Sequence, residues 1–153
     1  MKIQIRNARL DEYQKIEAIM KQVQQMHIGW RPDIYKHSER VLPLEIYKQA
    51  VKDGTIFVAE YGGIVAGILL IAYRHIENPN LEMRDVIFID SMAVDEEYRG
   101  KGIGHAFFDF LKELRNQKGY DGIELQVNAK NTAAYKMYSD YGFVDKSINM
   151  ELL

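Results

Sequence analysis

Three glycines at alternate positions, Gly100, Gly102 and Gly104, stand between a β-rich run and an amphipathic helical pattern, with Arg99 and Lys101 set among them. Glycine lets a backbone approach a ligand with no Cβ in the way. The first turn of a helix carries N–H groups without intrahelical acceptors, and the helix dipole adds roughly half a positive charge there. With two cationic side chains alongside, the spacing predicts a cradle for a phosphate or pyrophosphate. A glycine-rich turn flanked by solvated basic residues is the simpler alternative. The strand before the loop and the helix after it favour the cradle. Two other phosphate motifs do not fit: no Gly, four residues, Gly-Lys-Ser/Thr string occurs, and a dinucleotide fingerprint needs Gly or Ala where Phe107 stands.

The elements that must position this loop follow from periodicity. Lys2 to Ala8 alternates Ile3 and Ile5 with polar neighbours, as a half-buried strand does. From Asp11 the period becomes helical through Tyr13, Ile16, Met20, Val23 and Met26, until Gly29 and Pro32 break it. A second helix is expected from Pro43 to a left-handed exit at Gly54. Thr55 to Glu60 and Ile64 to Tyr73 are β-rich runs joined through Gly62-Gly63, a two-residue hairpin signal. Asn78-Pro79-Asn80 is a turn, and Arg84 to Val94 is apolar enough at its middle for a central strand. The helix after the loop carries Ile103, Ala106, Phe107, Phe110, Leu111 and Leu114 and ends near Gly119. Ile123, Leu125 and Val127 alternate as a strand, Asn131 to Asp140 reads as a short helix, and a last strand is expected from Gly142 through Val144 and Ile148. The predicted order is β-α-α-β-β-β-α-β-α-β, an α/β fold with a mixed sheet.

Composition narrows the function. The 153 residues, 47% apolar and 27% charged, suit one globular domain over residues 1–153, and no linker or repeat divides them. A net charge of −2 gives no reason to expect nucleic acid as a partner. Without cysteine there is no disulfide, thiolate nucleophile or zinc–thiolate site, and His27, His37, His75 and His105 lack metal-ligand spacing, so no metal is expected. The N-terminus is unlike a signal peptide, and the longest apolar run, Ile64 to Tyr73, is too short for a bilayer. The reading is a soluble cytoplasmic protein with no membrane partner.

At the glycine loop the chain resembles the GNAT superfamily of N-acetyltransferases. The family's pyrophosphate motif, Arg/Gln-x-x-Gly-x-Gly/Ala, is matched by Arg99 to Gly104, within the longer similar string Val94 to Gly104. Glu96 stands where many members have proline, which changes loop stiffness rather than chemistry. A second family signature recurs as Leu125-x-Val127, Asn131-x-x-Ala134 and Tyr138-x-x-x-Gly142-Phe143. The resemblance is strongest from Ile89 to Phe143 and weak before Thr55. It implies a single GNAT-like domain: a mixed, mainly antiparallel twisted sheet of about six to seven strands, about four flanking helices, and a splayed, bulged central strand. It implies acetyl-CoA as co-substrate, with Met92, Ala93 and Val94 on the pantetheine arm. Backbone amides from Gly100 to Gly104, with Arg99, Lys101, Ile103 and His105 in the same loop and first turn, would hold the pyrophosphate. Asn131 and Ala134 would contact the pantetheine or position the acceptor.

Transfer of an acetyl group to a primary amine needs a neutral nucleophile, a stabilised oxyanion and a proton for the leaving thiolate. Tyr138 matches the family's catalytic tyrosine, and a phenol with pKa near 10 keeps a proton to donate at neutral pH. Tyr135 and Tyr141 read as packing residues. Asp90 interrupts the strand where some members place a glutamate and is the candidate base; a strand-end carboxylate paired with a cation is the equal alternative. His27, Trp30 and Tyr35 fall in the segment that borders the acceptor pocket in this family, and a packed loop is the favoured reading. The acceptor is a small-molecule or peptide amine. An acyl-CoA-binding sensor without catalysis is an alternative function, a nucleotide-phosphate-binding protein on a similar loop is a third, and the resemblance is compatible with a homodimer.

Overall fold

The computed structural model describes residues 2–153. Its order is β1 (Ile3–Asn7), α1 (Tyr13–Trp30), α2 (Leu44–Asp53), β2 (Ile56–Tyr61), β3 (Ile64–Asn78), β4 (Leu81–Val94), α3 (Ile103–Lys118), β5 (Gly122–Leu125) and α4 (Thr132–Tyr141). The strands form one sheet in the order β1-β2-β3-β4-β5. The first three pairings are antiparallel and β4–β5 is parallel. A helix therefore has to carry the chain across between β4 and β5, and α3 is that crossover.

Local chemistry sets the boundaries. Gly62 and Gly63 both have positive φ, 58° and 83°, which suits the tight hairpin between β2 and β3. Gly54 and Gly119 close α2 and α3 in the left-handed region, each returning its N–H to the last helical turn.

The sheet is covered on both faces. Ile16, Ile19 and Met20 of α1 and Tyr47 and Ala50 of α2 pack with Ile56, Val58, Ile68 and Ala93 on one side. On the other, Ile103, Phe107, Phe108 and Leu111 of α3 pack with Phe57, Leu69, Ile71, Ile87 and Ile89. These side chains are essentially removed from water, and α3 approaches closely because β3 has glycine at its crossing. A Cβ on Gly67 would lie 3.1 Å from the Ala93 carbonyl oxygen, Ile103 Cγ2 and Phe107 Cε2.

The expected last strand does not form, and the sheet has five strands rather than six to seven. From Val144 onward the chain is exposed and has no regular secondary structure, without a ladder to β5. Alternation is present there, but the backbone has no neighbouring strand to complete its hydrogen bonds.

Gly67→Ala is expected to destabilise the fold by about 1–3 kcal/mol, since backbone and two ring-packed side chains must give way. Urea unfolding measures it. A midpoint equal to wild type would show that α3 can withdraw at no cost.

Candidate active site

Pairing between β4 and β5 covers Val86 with Gly122 through Ile89 with Leu125 and then stops. β4 itself continues to Val94, paired with β3 only: Ser91 with Leu70, Met92 with Leu69, Ala93 with Ile68 and Val94 with Gly67. Between Ile89 and Ser91 the register slips, and Asp90 is the extra residue of the bulge. The far edge of β4 over residues 91–94 thus has no strand beside it. Asp90 is exposed at the start of that opening.

The free edge leads to the glycine loop. Gly100 and Gly102 have φ of 77° and 90°, a region other residues enter only at a cost of about 1–2 kcal/mol. Gly102 occupies the N-cap position of α3, and no side chain caps the helix there. Its first-turn amides, at Ile103, Gly104 and His105, remain directed outward at the positive end of the dipole. Arg99 and Lys101 are exposed, and neither forms an ion pair among the described residues. Arg99 Nε donates to the Val94 carbonyl at 3.4 Å, and its Nη2 lies 3.9 Å from Met26 Sδ of α1. At Gly104 the constraint is space: a Cβ would lie 3.2 Å from Met137 Sδ and 3.9 Å from Met92 Cε. The start of α3, the end of β4 and the middle of α4 therefore meet at this glycine.

Tyr138 lies on α4 with its ring against Phe108 and Phe143, at centroid distances of 5.7 and 5.9 Å. Burial pushes its phenol above the ordinary tyrosine value, so the proton is held at neutral pH. No side-chain hydrogen bond involves its hydroxyl, and that oxygen is not sealed from solvent, because no buried side-chain polar atom lacks a partner. Asn131 caps α4: its Oδ1 accepts from the Ala134 N–H at 3.1 Å, and its side-chain N–H groups make no hydrogen bond among the described residues. Tyr135 and Tyr141 donate to Asp145 and Asp109 at 2.9 and 2.6 Å, surface bonds consistent with packing roles. Trp30 and Tyr35 each pack in tilted contact with His27, at centroid distances of 5.6 and 4.7 Å. That is a packed cluster at the end of α1. His105 is exposed in the first turn of α3, against the Tyr141 ring at 4.9 Å.

Sequence reasoning passed over one residue. Asp95, 5% exposed, accepts from Lys15 Nζ at 3.0 Å, Gln22 Nε2 at 3.3 Å and the Glu97 N–H at 3.2 Å. Gln22 Oε1 in turn accepts from the Glu96 N–H at 2.9 Å. The turn entering the glycine loop is thereby bolted to α1. Asp95 ahead of Glu96-Glu97 has the form of an N-cap, which was readable; its partners lie 80 and 73 residues away, which was not.

Two clefts lie away from the loop. One of about 290 Å³, beyond the end of β5, is lined by Val127, Asn128, Ala129, Thr132, Tyr135 and Asp145. The other, of about 190 Å³, lies between α1 and the segment after it. Neither includes a glycine-loop residue, so geometry rather than cavity volume marks the site. Among the described residues no three of His, Asp and Glu gather as a metal would require, and no helix is long and apolar enough to cross a membrane.

Residues 20–143 match the model of the acetyltransferase (GNAT) family. The chain belongs to that family. It is similar to an uncharacterized N-acetyltransferase of Methanocaldococcus jannaschii, 33% identical over 97 residues, 63% of this chain and 42% of that protein. It is also similar to the N-acetylaspartate synthetase of Xenopus tropicalis, 34% identical over 65% of this chain and 34% of that one. The GNAT chain described here thus spans less than half the length of these curated relatives. The crystal structure of a Bacillus halodurans protein superposes with a TM-score of 0.92 at 26% identity, covering 98% of each chain. An aminoglycoside N-acetyltransferase solved in complex with CoA superposes at 0.71, with 14% identity and 98% of each chain covered, a likeness of fold.

The Asp95 cluster gives this GNAT domain a pH dependence. Burial pushes its carboxyl up, but bonds from Lys15, the Glu97 N–H and Gln22 outweigh that and hold it below the ordinary value. Its contribution to stability is therefore complete above about pH 4 and is lost as pH falls through the folded value. Asp95→Asn is expected to lose about 1–2 kcal/mol at neutral pH, moderated by the half-exposed Lys15, with the difference from wild type shrinking in acid. Urea unfolding at neutral and acid pH checks this. A pH-independent difference would leave no part for the charge.

Proposed function

We propose that this GNAT chain transfers an acetyl group from acetyl-CoA to a primary amine by direct attack within a ternary complex. One observation carries the reading: the unpaired edge of β4 at residues 91–94 runs into the uncapped, glycine-lined start of α3. An extended chain of amides ending in a diphosphate matches that layout, hydrogen-bonding along the strand edge and meeting the helix amides at its charged end. Backbone groups of Met92, Ala93 and Val94 take the pantetheine arm. The amides of Gly100 to Gly104, with Arg99, Lys101 and His105, take the pyrophosphate. Asn131 and Ala134 hold the start of α4 against the arm.

The thioester carbon then sits in the opening between β4 and β5. The amine nitrogen forms the new bond to that carbon, the carbon–sulfur bond breaks, and one proton passes in net from nitrogen to sulfur. An alkylamine with pKa about 10.4 costs roughly 4–5 kcal/mol to deprotonate at pH 7, so a proton acceptor at the mouth is useful. Asp90, exposed at the bulge, takes that role directly or through water. Tyr138 donates to the departing sulfur. Its raised pKa makes it a weak acid but ensures that the proton is present when sulfur gains charge.

Relatives differ in acceptor: aspartate in one case by name, the alanine of ribosomal protein bS18 and streptothricin in others. A small-molecule or peptide amine is the class they share.

The test is calorimetry with coenzyme A and a thiol-release screen over diverse amines with acetyl-CoA. Absence of both binding heat and released thiol would overturn the reading. Tyr138→Phe is expected to lower turnover by about 10²-fold or more while coenzyme A affinity stays unchanged. Unaltered turnover would remove Tyr138 from the proton path. Asp90→Asn is expected to lower turnover by about 10²-fold while coenzyme A affinity stays unchanged; unaltered turnover would give that role to solvent.

A further inference from the structure

Val86 and Phe88 lie on the α1 side of β4, alternating with Ile87 and Ile89 beneath α3. Both are buried, at 0% and 8% exposure, yet neither belongs to the core that α1 and α2 cover. That core reaches β4 only at Ala93, so the helices leave this stretch of the sheet without a roof. Side chains supply one instead. Arg74 of β3 sets its guanidinium carbon 3.5 Å from the centre of the Phe88 ring. Arg84 lies over β5, where a Cβ on Gly122 would stand 3.1 Å from its Nη2.

The two arginines are differently employed. Arg84 Nη1 pairs with Glu124 of β5 at 3.1 Å, and Lys146 Nζ contacts the same carboxylate oxygen at 3.0 Å. Glu124 stands opposite Phe88 in register, so the carboxylate beside the ring is already shared by two cations. Arg74 is exposed and forms no ion pair or hydrogen bond among the described residues. The ring fixes its guanidinium in place without consuming any of the five N–H donors. Such a planar fork is suited to a carboxylate.

Asp90 follows Phe88 by two residues, at the bulge where β4 and β5 part. Strand rise puts it about 7 Å further along. A carboxylate at the mouth and a free guanidinium behind it make a dipolar shelf. We propose that the acceptor is an amine carrying a carboxylate several bonds away, and that Arg74 binds this carboxylate and sets the specificity. The inference rests on the acetyl-transfer reading above. The amine meets the thioester beside Asp90 while the anionic end takes paired N–H bonds from Arg74. A polyamine is disfavoured on the same shelf, because its second ammonium faces the guanidinium. A guanidinium that served only to cover Phe88 would not discriminate between charged and neutral acceptors.

The test pairs ω-amino carboxylates of increasing length with their neutral carboxamides, each offered with acetyl-CoA to the whole chain. The carboxylate of a pair is expected to have about tenfold or more the kcat/KM of its amide. The preference is expected to be greatest in the longer pairs, whose two ends span about 7 Å. Arg74→Gln is expected to bring each pair level through a rise in KM, and Arg74→Lys to keep part of the preference. Equal kcat/KM within pairs for wild type, better turnover of polyamines, or a preference that survives Arg74→Gln each overturns the inference. A second arm needs no turnover: NMR follows binding of the same pairs to wild type and Arg74→Gln in saturating coenzyme A. Should no amine be acetylated, the acetyl-transfer reading fails on that count and this arm alone decides the shelf. Carboxylate binding that Arg74→Gln abolishes upholds the anion site; no binding, or equal binding of the amides, overturns it. If Arg74→Gln does not fold, the wild-type comparison within pairs decides.

Discussion

Beyond Ile89 and Leu125 two neighbouring parallel strands part, and the backbone groups on one edge of β4 lose the partner that the rest of the strand has. Buried or half-buried amides and carbonyls cannot remain without a partner at low cost. The split is maintained because Asp90 adds a residue to β4 at that point, increasing local twist and turning the strand from its neighbour. On the other side β3 stays paired throughout, so β4 is opened on one edge without being loosened. An edge held open by a rigid strand is a template for an extended ligand. The remaining features of the site are arranged with respect to it.

The glycine loop needs a comparable anchoring, since φ values of 77° and 90° at Gly100 and Gly102 permit the turn without enforcing it. Rigidity comes from either end. Ile103 is 1% exposed and fixes the first turn of α3 in the core, while Asp95 and Gln22 fix the entry against α1. Gly67 lets α3 settle on β3 and Ala93 at van der Waals limits, which sets the height of the helix start above the end of β4. The loop amides are thus positioned by packing rather than by any side chain of the loop. Arg99 and Lys101 are exposed beside them and carry positive charge.

What was legible in the sequence was what short-range chemistry determines. Gly62-Gly63, Gly54 and Gly119 appear where turn and helix-exit rules place them, and the glycine loop joins β4 to α3 as its spacing implied. Family signatures pointed to Tyr138 and Asn131 as candidates, and the structure adds that the Asn131 side-chain oxygen caps α4. Asp95 was hidden because its meaning depends on Lys15 and Gln22, brought near by the packing of α1 and by nothing in the local string. The resemblance implied a bulge in the central strand, but Val86 to Ile89 is apolar at every position and gives no parity to count, so only the register shows that Asp90 is the inserted residue.

The C-terminal segment shows the limit from the other direction. Its alternation is interrupted only at Lys146, yet β1 is a strand and residues 144–152 are not. The difference lies in what stands alongside: β1 has β2 in register from Ile3 to Asn7, whereas the tail has Glu124 and Arg31 touching it through side chains only. Alternation records that a segment suits a sheet; it does not say which chain provides the neighbour. Ion pairs at exposed positions are worth little, so these two contacts add little to the placement of the tail's exposed apolar side chains.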